Sequence, residues 1–345
     1  MLFVGRRAAA DRAARRLGWE VVRGAADRPE AIVALTEASV LPAAELRAEL
    51  GLPGLAPPAA LRCRDKVFMK EAVRACGIPC TDWIALDERS DPGAVAARLG
   101  LPVYVKRRRA SGGRGQVLAP SVAEIPVGPD LIAERRIEGR EMSVESIVAG
   151  GRILWRNETE YLVPGHSHLL PAPLDVETRR RVAELNSDAI AGLGIDRGMT
   201  HLELFLTDRG PVFGEIAVRP PGGRITRLIR RVYRFDPWRA HLLAEAGERP
   251  RIRAEARGVA GVWMLHPGPG IVRAIEGLEE ARAVEGVTRV HCRAEVGGTI
   301  AVREGTGQDV GFIEASGADA QSVARALRRS HALLRILLEP QPPLA

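Results

Sequence analysis

Lysine is nearly missing from this chain. Of its 50 basic side chains all but three are arginine, the exceptions being Lys66, Lys70 and Lys106. Where arginine serves almost every surface cation, a retained lysine marks a place that needs a compact, rotatable ammonium rather than a planar fork. Aromatic residues are scarce at 4%, too few for an evident base-stacking surface. The 43 acidic residues are interspersed among the arginines, so a formal charge of +7 reads as a mixed solvated surface and not as a nucleic-acid footprint. No apolar run approaches the roughly 20 residues of a spanning helix, and Met1-Leu2-Phe3-Val4-Gly5 has no charged leader before an apolar segment. A cytoplasmic protein is expected, with neither nucleic acid nor membrane as partner. Cys63, Cys76, Cys80 and Cys292 form no CxxC pair and have no histidine cluster beside them, so they read as reduced structural thiols.

Strand and helix patterns alternate at the start of the chain. A short apolar strand and a glycine precede a helix over 8–17, and the apolar run 31–35 precedes a helix over 43–50, a small α/β layer closed by the Gly/Pro-rich stretch 51–58. A helix is expected around 64–73, with Lys70 on its surface, and another over 93–99 among short strands from 81 to 148. A long amphipathic helix follows over 177–193, ending at Gly194. Beyond residue 258, strands at 258–265 and 297–302 and a terminal helix over 319–338 make a separate α+β region. The expected division is 1–60, 61–250 with a lid at about 81–140, and 251–345.

Two elements carry chemistry. Lys106 ends the run Leu101-Pro102-Val103-Tyr104-Val105 and leads into Arg109-Ala110-Ser111-Gly112-Gly113-Arg114-Gly115, a strand feeding a glycine-rich loop whose amides can cradle phosphate. Farther on, Thr200–Thr207 and Pro211–Arg219 alternate with period two around Asp208-Arg209-Gly210, which predicts a hairpin. Its register sets Glu203 opposite Glu215, His201 opposite Ala217, and Phe205 opposite Phe213. Two carboxylates with Cβ atoms ~5 Å apart repel by about 3 kcal/mol at an effective dielectric near 20. A hard divalent cation, Mg²⁺ or Mn²⁺, would offset that repulsion, with phosphate supplying further ligands; the alternative is two carboxylates on a solvated sheet face.

In this order the pieces resemble the ATP-grasp superfamily of carboxylate-amine ligases over roughly residues 60–250. Asp65-Lys66 at a helix start resembles the family's first ATP-binding lysine, and Lys106 the second. The stretch Asp130–Glu141 is similar to the segment whose backbone holds adenine, here Glu134, Arg135, Arg136 and Ile137, with Glu141 as the ribose-binding acid. Glu203 and Glu215 match the metal-binding acids and Arg219 the arginine of E-x-N-x-R. Ala217 departs from that motif by replacing the asparagine, which puts a second metal position in question. The dipeptide-forming L-amino-acid ligases are the most similar branch, through 50–54, Val163-Pro164-Gly165-His166-Ser167-His168 and Pro220-Pro221-Gly222-Gly223-Arg224.

The resemblance implies an α/β and α+β protein: an ATP-grasp fold with a small Rossmann-like N-terminal domain, a central lid and a C-terminal α+β domain. It implies ATP and Mg²⁺ (or Mn²⁺), a carboxylate and an amine substrate of amino-acid type, and transfer through an acyl phosphate; a homodimer is the assembly it allows. Ser111, Gly112, Gly113 and Gly115 would face the phosphates with Lys66 and Lys106. Arg219 and His201 are the catalytic candidates. His166 and His168, in a segment able to close over the site, and Gly222, Gly223 and Arg224 are the substrate candidates, Arg224 as a fork for a carboxylate. A bicarbonate-using relative and a weakly catalytic ATP-binding module are the competing readings.

Overall fold

The structure is a computed structural model that describes residues 1–22 and 29–339; the last residues of the expected C-terminal region, 340–345, lie outside it. The opening layer is β1 (Leu2–Val4), α1 (Ala8–Leu17), β2 (Ile32–Ala34) and α2 (Val40–Glu49), with β1 and β2 parallel. Arginines end α1, and Gly18 closes it in the left-handed conformation (φ 72°). The Gly/Pro-rich stretch turns helical earlier than expected: α3 (Pro57–Arg64) starts with proline in its first turn, where a missing N–H costs nothing. It is followed by α4 (Lys66–Ala75), N-capped by the Asp65 carboxylate, which accepts from the Val67 N–H at 3.0 Å.

Next come β3 (Trp83–Leu86), α5 (Pro92–Leu99), β4 (Val103–Arg107), β5 (Val117–Ala119) and β6 (Leu131–Arg135). These strands form a sheet of order β3-β6-β4-β5, and α5 packs on it through Val95 and Leu99. Two long strands, β7 (Arg140–Ala149) and β8 (Arg152–Val163), precede β9 (Ser167–Leu170), α6 (Val176–Leu193), β10 (Arg197–Thr207) and β11 (Gly210–Ala217). Then follow α7 (Ile225–Tyr233) and α8 (Pro237–Glu245), β12 (Val259–Leu265), β13 (Gly270–Glu276), α9 (Leu278–Arg282), β14 (Val287–Cys292), β15 (Thr299–Ile300), β16 (Gly311–Gly317), α10 (Ala320–Leu333) and β17 (Arg335–Glu339).

The chain forms two compact units. One holds 1–156, 174–221 and 236–252; the other holds 157–173, 222–235 and 253–345. In the first, α8 packs Trp238 and Leu242 against the N-terminal layer's Phe3, Ala10, Val33 and Leu35. In the second, β9, β12, β16 and β14 run side by side and antiparallel, and α10 lays Val323 and Leu327 on them. The terminal helix expected to reach 338 stops at Leu333, and 335–339 pairs with β13 instead. Ile336-Leu337-Leu338 suits either state, and the open edge of β13 decides. Among the described residues no helix is long and apolar enough to cross a membrane.

Candidate nucleotide and metal site

All three lysines lie in the first unit and gather around one carboxylate. Strand β4 buries Val103 and Val105 and presents Tyr104 and Lys106 on its other face. Tyr104 pairs with Glu134 and Lys106 with Ile132 on β6, so Lys106 and Glu134 are diagonal neighbours on one face. The Lys106 ammonium donates to Glu134 Oε2 at 3.1 Å, and Lys70 Nζ lies 3.5 Å from Oε1. Burial alone would raise the Glu134 carboxyl, but Lys106, Lys70 and Lys66 overcome it and lower its pKa to about 2. Lys106 is raised in turn: burial opposes its charge, and Glu134, Glu215 and Glu203 outweigh that.

Lys70 is not the surface residue expected from its helix. It is 1% exposed and donates to the Gly214 carbonyl at 3.1 Å. The amphipathic pattern of α4 misled because its buried side carries Lys66 and Lys70 toward a charged site beside the apolar Val67, Met69 and Val73.

The hairpin is present with the predicted pairs Glu203/Glu215 and His201/Ala217. Beyond Glu203 the register slips: Leu204 pairs with Phe213 and Phe205 with Val212, in place of the expected Phe205/Phe213 pair. Gly214 is the extra residue of a β-bulge. A Cβ there would lie 2.8 Å from the Glu203 carbonyl oxygen, so only glycine fits. The bulge takes Gly214 out of the ladder, and Lys70 satisfies its carbonyl.

Glu203 and Glu215 remain about one-third open, at 33% and 31% side-chain exposure. His201 Nε2 stands 3.4 Å from Glu203 Oε1, and its Nδ1 lies 2.9 Å from Glu145 Oε1, directly across on β7. Burial disfavours the imidazolium, but hydrogen bonds to Glu145 and Glu203 prevail and raise His201 to about 9. Glu203 is correspondingly lowered: burial would raise it, and His201, Lys106 and Lys66 reverse the sign. Glu141, opposite Phe205 on the same face, goes the other way, up to about 7, through burial and the charge of Glu203. Two hard carboxylates with solvent access fit Mg²⁺, which keeps waters and phosphate ligands rather than a full protein cage. No set of three or more acids, histidines or cysteines forms such a cage among the described residues.

Lys66 links both halves of this region. Its ammonium donates to the Ala110 carbonyl at 2.8 Å and stands 3.3 Å from Glu215 Oε2. The root of the glycine loop is pinned nearby: buried Asp65 accepts from Arg108 and Arg109, and the Lys66 N–H donates to the Arg108 carbonyl. Gly112, Gly113 and Gly115 beyond Ser111 all take positive φ, between 65° and 76°, a backbone region that favours glycine. In the stretch 134–137, Arg135 has both backbone groups engaged, its N–H on Asp82 O and its carbonyl on Thr81 Oγ1. Arg136 and Ile137 lie past the end of β6, outside its ladders. Arg219 donates through Nε to Glu37 at 2.7 Å, and Arg64 holds the other oxygen of that carboxylate.

The remaining candidates lie in the second unit. His168 is a buried residue of β9, paired with Val262 on β12, rather than part of a closing loop. Gly223 packs against its ring: an added Cβ would stand 3.1 Å from Cε1. His166 sits in the β8–β9 turn with Arg303 at 3.2 Å from Nε2. Arg224 is already engaged: its Nε and Nη2 both donate to Glu314 Oε1, at 3.0 and 2.7 Å. Gly222 begins the turn into α7, accepting from the Ile225 N–H. Sequence reading passed over Lys70, Glu37 and Glu145. Glu145 did leave a signal, being one of three polar residues, with Ser143 and Ser146, in the buried run 142–148 of β7.

Residues 263–339 match the model of the L-amino acid ligase C-terminal domain 2. An L-arginine-specific L-amino acid ligase of Bacillus subtilis is 26% identical over 81% of this chain and 73% of its own length. A D-alanine–D-alanine ligase of Corynebacterium urealyticum is 31% identical over 45% of this chain, which spans only 50% of that relative. Among solved structures, the L-amino acid ligase of Bacillus licheniformis superposes with a TM-score of 0.80 at 19% identity, covering 98% of both chains. A carboxyaminoimidazole ribonucleotide synthase of Aspergillus clavatus, solved with ATP, does so with 0.77 at 18% identity over 96% and 97%.

Proposed function

We propose that this chain, an ATP-grasp enzyme of the carboxylate-amine ligase type with an L-amino acid ligase C-terminal segment, joins the carboxylate of an amino acid to an amine through an acyl phosphate. The observation that carries this reading is the convergence of Lys66, Lys70 and Lys106 beside the paired Glu203 and Glu215 within one unit. A carboxylate does not condense with an amine at neutral pH because hydroxide leaves poorly. Attack of a carboxylate oxygen on the γ-phosphorus of ATP, with cleavage of the β–γ bond, supplies phosphate as the leaving group and releases ADP.

Lys66, Lys106 and the amides of Ser111–Gly115 neutralise the triphosphate and hold it for in-line transfer. Glu203 and Glu215 would hold Mg²⁺ or Mn²⁺, which when bound supplies charge compensation for the phosphates. The adenosine is met by the backbone of Arg136 and Ile137, just past the end of β6, and by Glu141. Arg219, oriented by Glu37, faces the negative charge that builds on the acyl oxygen when the amine attacks. That attack forms the C–N bond, breaks the acyl C–O bond to phosphate, and passes a proton from the amine to the departing phosphate. His201, pinned between Glu145 and Glu203, carries a proton on each ring nitrogen at neutral pH and fixes the Glu203 carboxylate. In the second unit His166, in the β8–β9 turn, and Gly222 serve substrate selection, while Arg224 is held by Glu314 and His168 is packed on Gly223.

The test is a screen of MgATP with pooled amino acids, following ADP and phosphate and identifying amides by mass spectrometry. Amide product with stoichiometric ADP is the expected result. ADP release stimulated by bicarbonate alone would assign the chain to the carboxyphosphate-forming type. Tight MgATP binding with no turnover on any acid would make it a binding module.

A further inference from the structure

A buried ammonium costs several kcal/mol of lost hydration unless it is well paired, and Lys70 is 1% exposed. In a chain that writes arginine at nearly every other cationic position, its ammonium is flanked by the bulge carbonyl of Gly214 at 3.1 Å and the carboxylate of Glu134 at 3.5 Å, two partners that a compact, rotatable charge serves together. Glu134 has one oxygen near each of two lysines, Oε1 at 3.5 Å from Lys70 and Oε2 at 3.1 Å from Lys106. Oε1 has no hydrogen-bond partner among the described residues, so the ammonium of Lys70 is its nearest compensation.

We infer that Lys70 is a positioning residue for nucleotide binding, which holds one oxygen of Glu134 so that Lys106 is left with a single carboxylate contact and stays available to phosphate. Gly214 anchors Lys70 for this task. Without Lys70, a full buried carboxylate falls to Lys106 alone, closes around its ammonium and competes with the nucleotide. The inference rests on the nucleotide-site reading above and concerns how that site is kept open.

The experiment is a double-mutant cycle on the full chain with Lys70→Met, Glu134→Gln and both together, reading the Kd of MgATP by calorimetry and the thermal midpoint without nucleotide. Lys70→Met should weaken MgATP about tenfold or more, the scale of one charge-assisted contact. Adding Glu134→Gln should restore most of that loss, because the competing carboxylate is gone. In the Glu134→Gln background the lysine change should move Kd by less than about twofold, and this comparison stands even if Lys70→Met alone does not fold. A wild-type Kd for folded Lys70→Met overturns the inference. So does an equal loss in both backgrounds, since a merely structural lysine lowers the midpoint without coupling to Glu134. Failure of the wild-type chain to bind MgATP would instead overturn the nucleotide site itself.

Discussion

Glu134 in the first unit and Glu314 in the second are equally buried, at 6% exposure each, and each is surrounded by cations. The cations differ in kind. Glu134 meets ammonium groups, spread over both oxygens at 3.1 and 3.5 Å. Glu314 meets guanidinium groups crowded on one oxygen, two bonds from Arg224 and a contact at 2.9 Å from Arg227. The Arg224 guanidinium also lies 3.3 Å over the Phe312 ring. A stacked fork is fixed in plane and direction, which suits a permanent joint. An ammonium on a flexible stem can trade one oxygen for another, which suits a place where a ligand must enter.

The strongest way to break this contrast is at the acids the lysines serve. Glu215→Gln should lower ligase turnover by about 10²–10³-fold if that carboxylate holds the metal, read as ADP release under saturating MgATP; retained activity would remove it from the metal site. Lys106→Arg tests the exchange argument directly. A fork in place of the ammonium should bind Glu134 bidentately and raise the MgATP Kd by about 10–100-fold, whereas an equal Kd would show that only the charge matters.

His201 sharpens the comparison by titration. Its folded pKa lies near 9, above the ordinary 6.5, so its stabilising contribution is complete below pH 6.5 and disappears as pH rises through about 9. In metal-free protein the denaturant stability should fall by about 1–3 kcal/mol over that window, and His201→Gln should flatten it. An imidazole NMR titration with a midpoint near 6.5 would refute the assignment. The smallest effect is expected in the second unit: Arg224→Lys loses the paired bonds and the ring contact, about 1 kcal/mol, seen as a lower unfolding midpoint. No change there would mean the fork at Glu314 is replaceable.

Much of the site was legible because strand periodicity is strict. Alternation in 200–207 and 211–219 places Glu203 opposite Glu215, and the rarity of lysine draws attention to 66 and 106. The bulge at Gly214 was not legible, since glycine after phenylalanine reads equally as an ordinary strand position, and without the bulge Lys70 has no carbonyl to reach. Helical wheel logic placed Lys70 outside because it treats burial as apolar. Long-range partners were invisible for a related reason: Glu37 lies 182 positions from Arg219, and no local pattern encodes that pairing. In the fold, 335–339 defeated the helix reading because an unpaired strand edge outweighs propensity.

On the proposed nucleotide reading, the Lys66 bond to Ala110 ties the order of the glycine loop to the occupancy of the site. This ammonium is shared between the Glu215 carboxylate at 3.3 Å and the neutral Ala110 carbonyl at 2.8 Å, and the carbonyl is the acceptor that surrenders a cation more readily. A phosphate that draws Lys66 away therefore unfastens one root of the loop at the moment it offers that loop's amides new partners. Loop order then becomes a difference between two sets of bonds rather than a sum, and amide hydrogen exchange across 108–115 is where that difference is written.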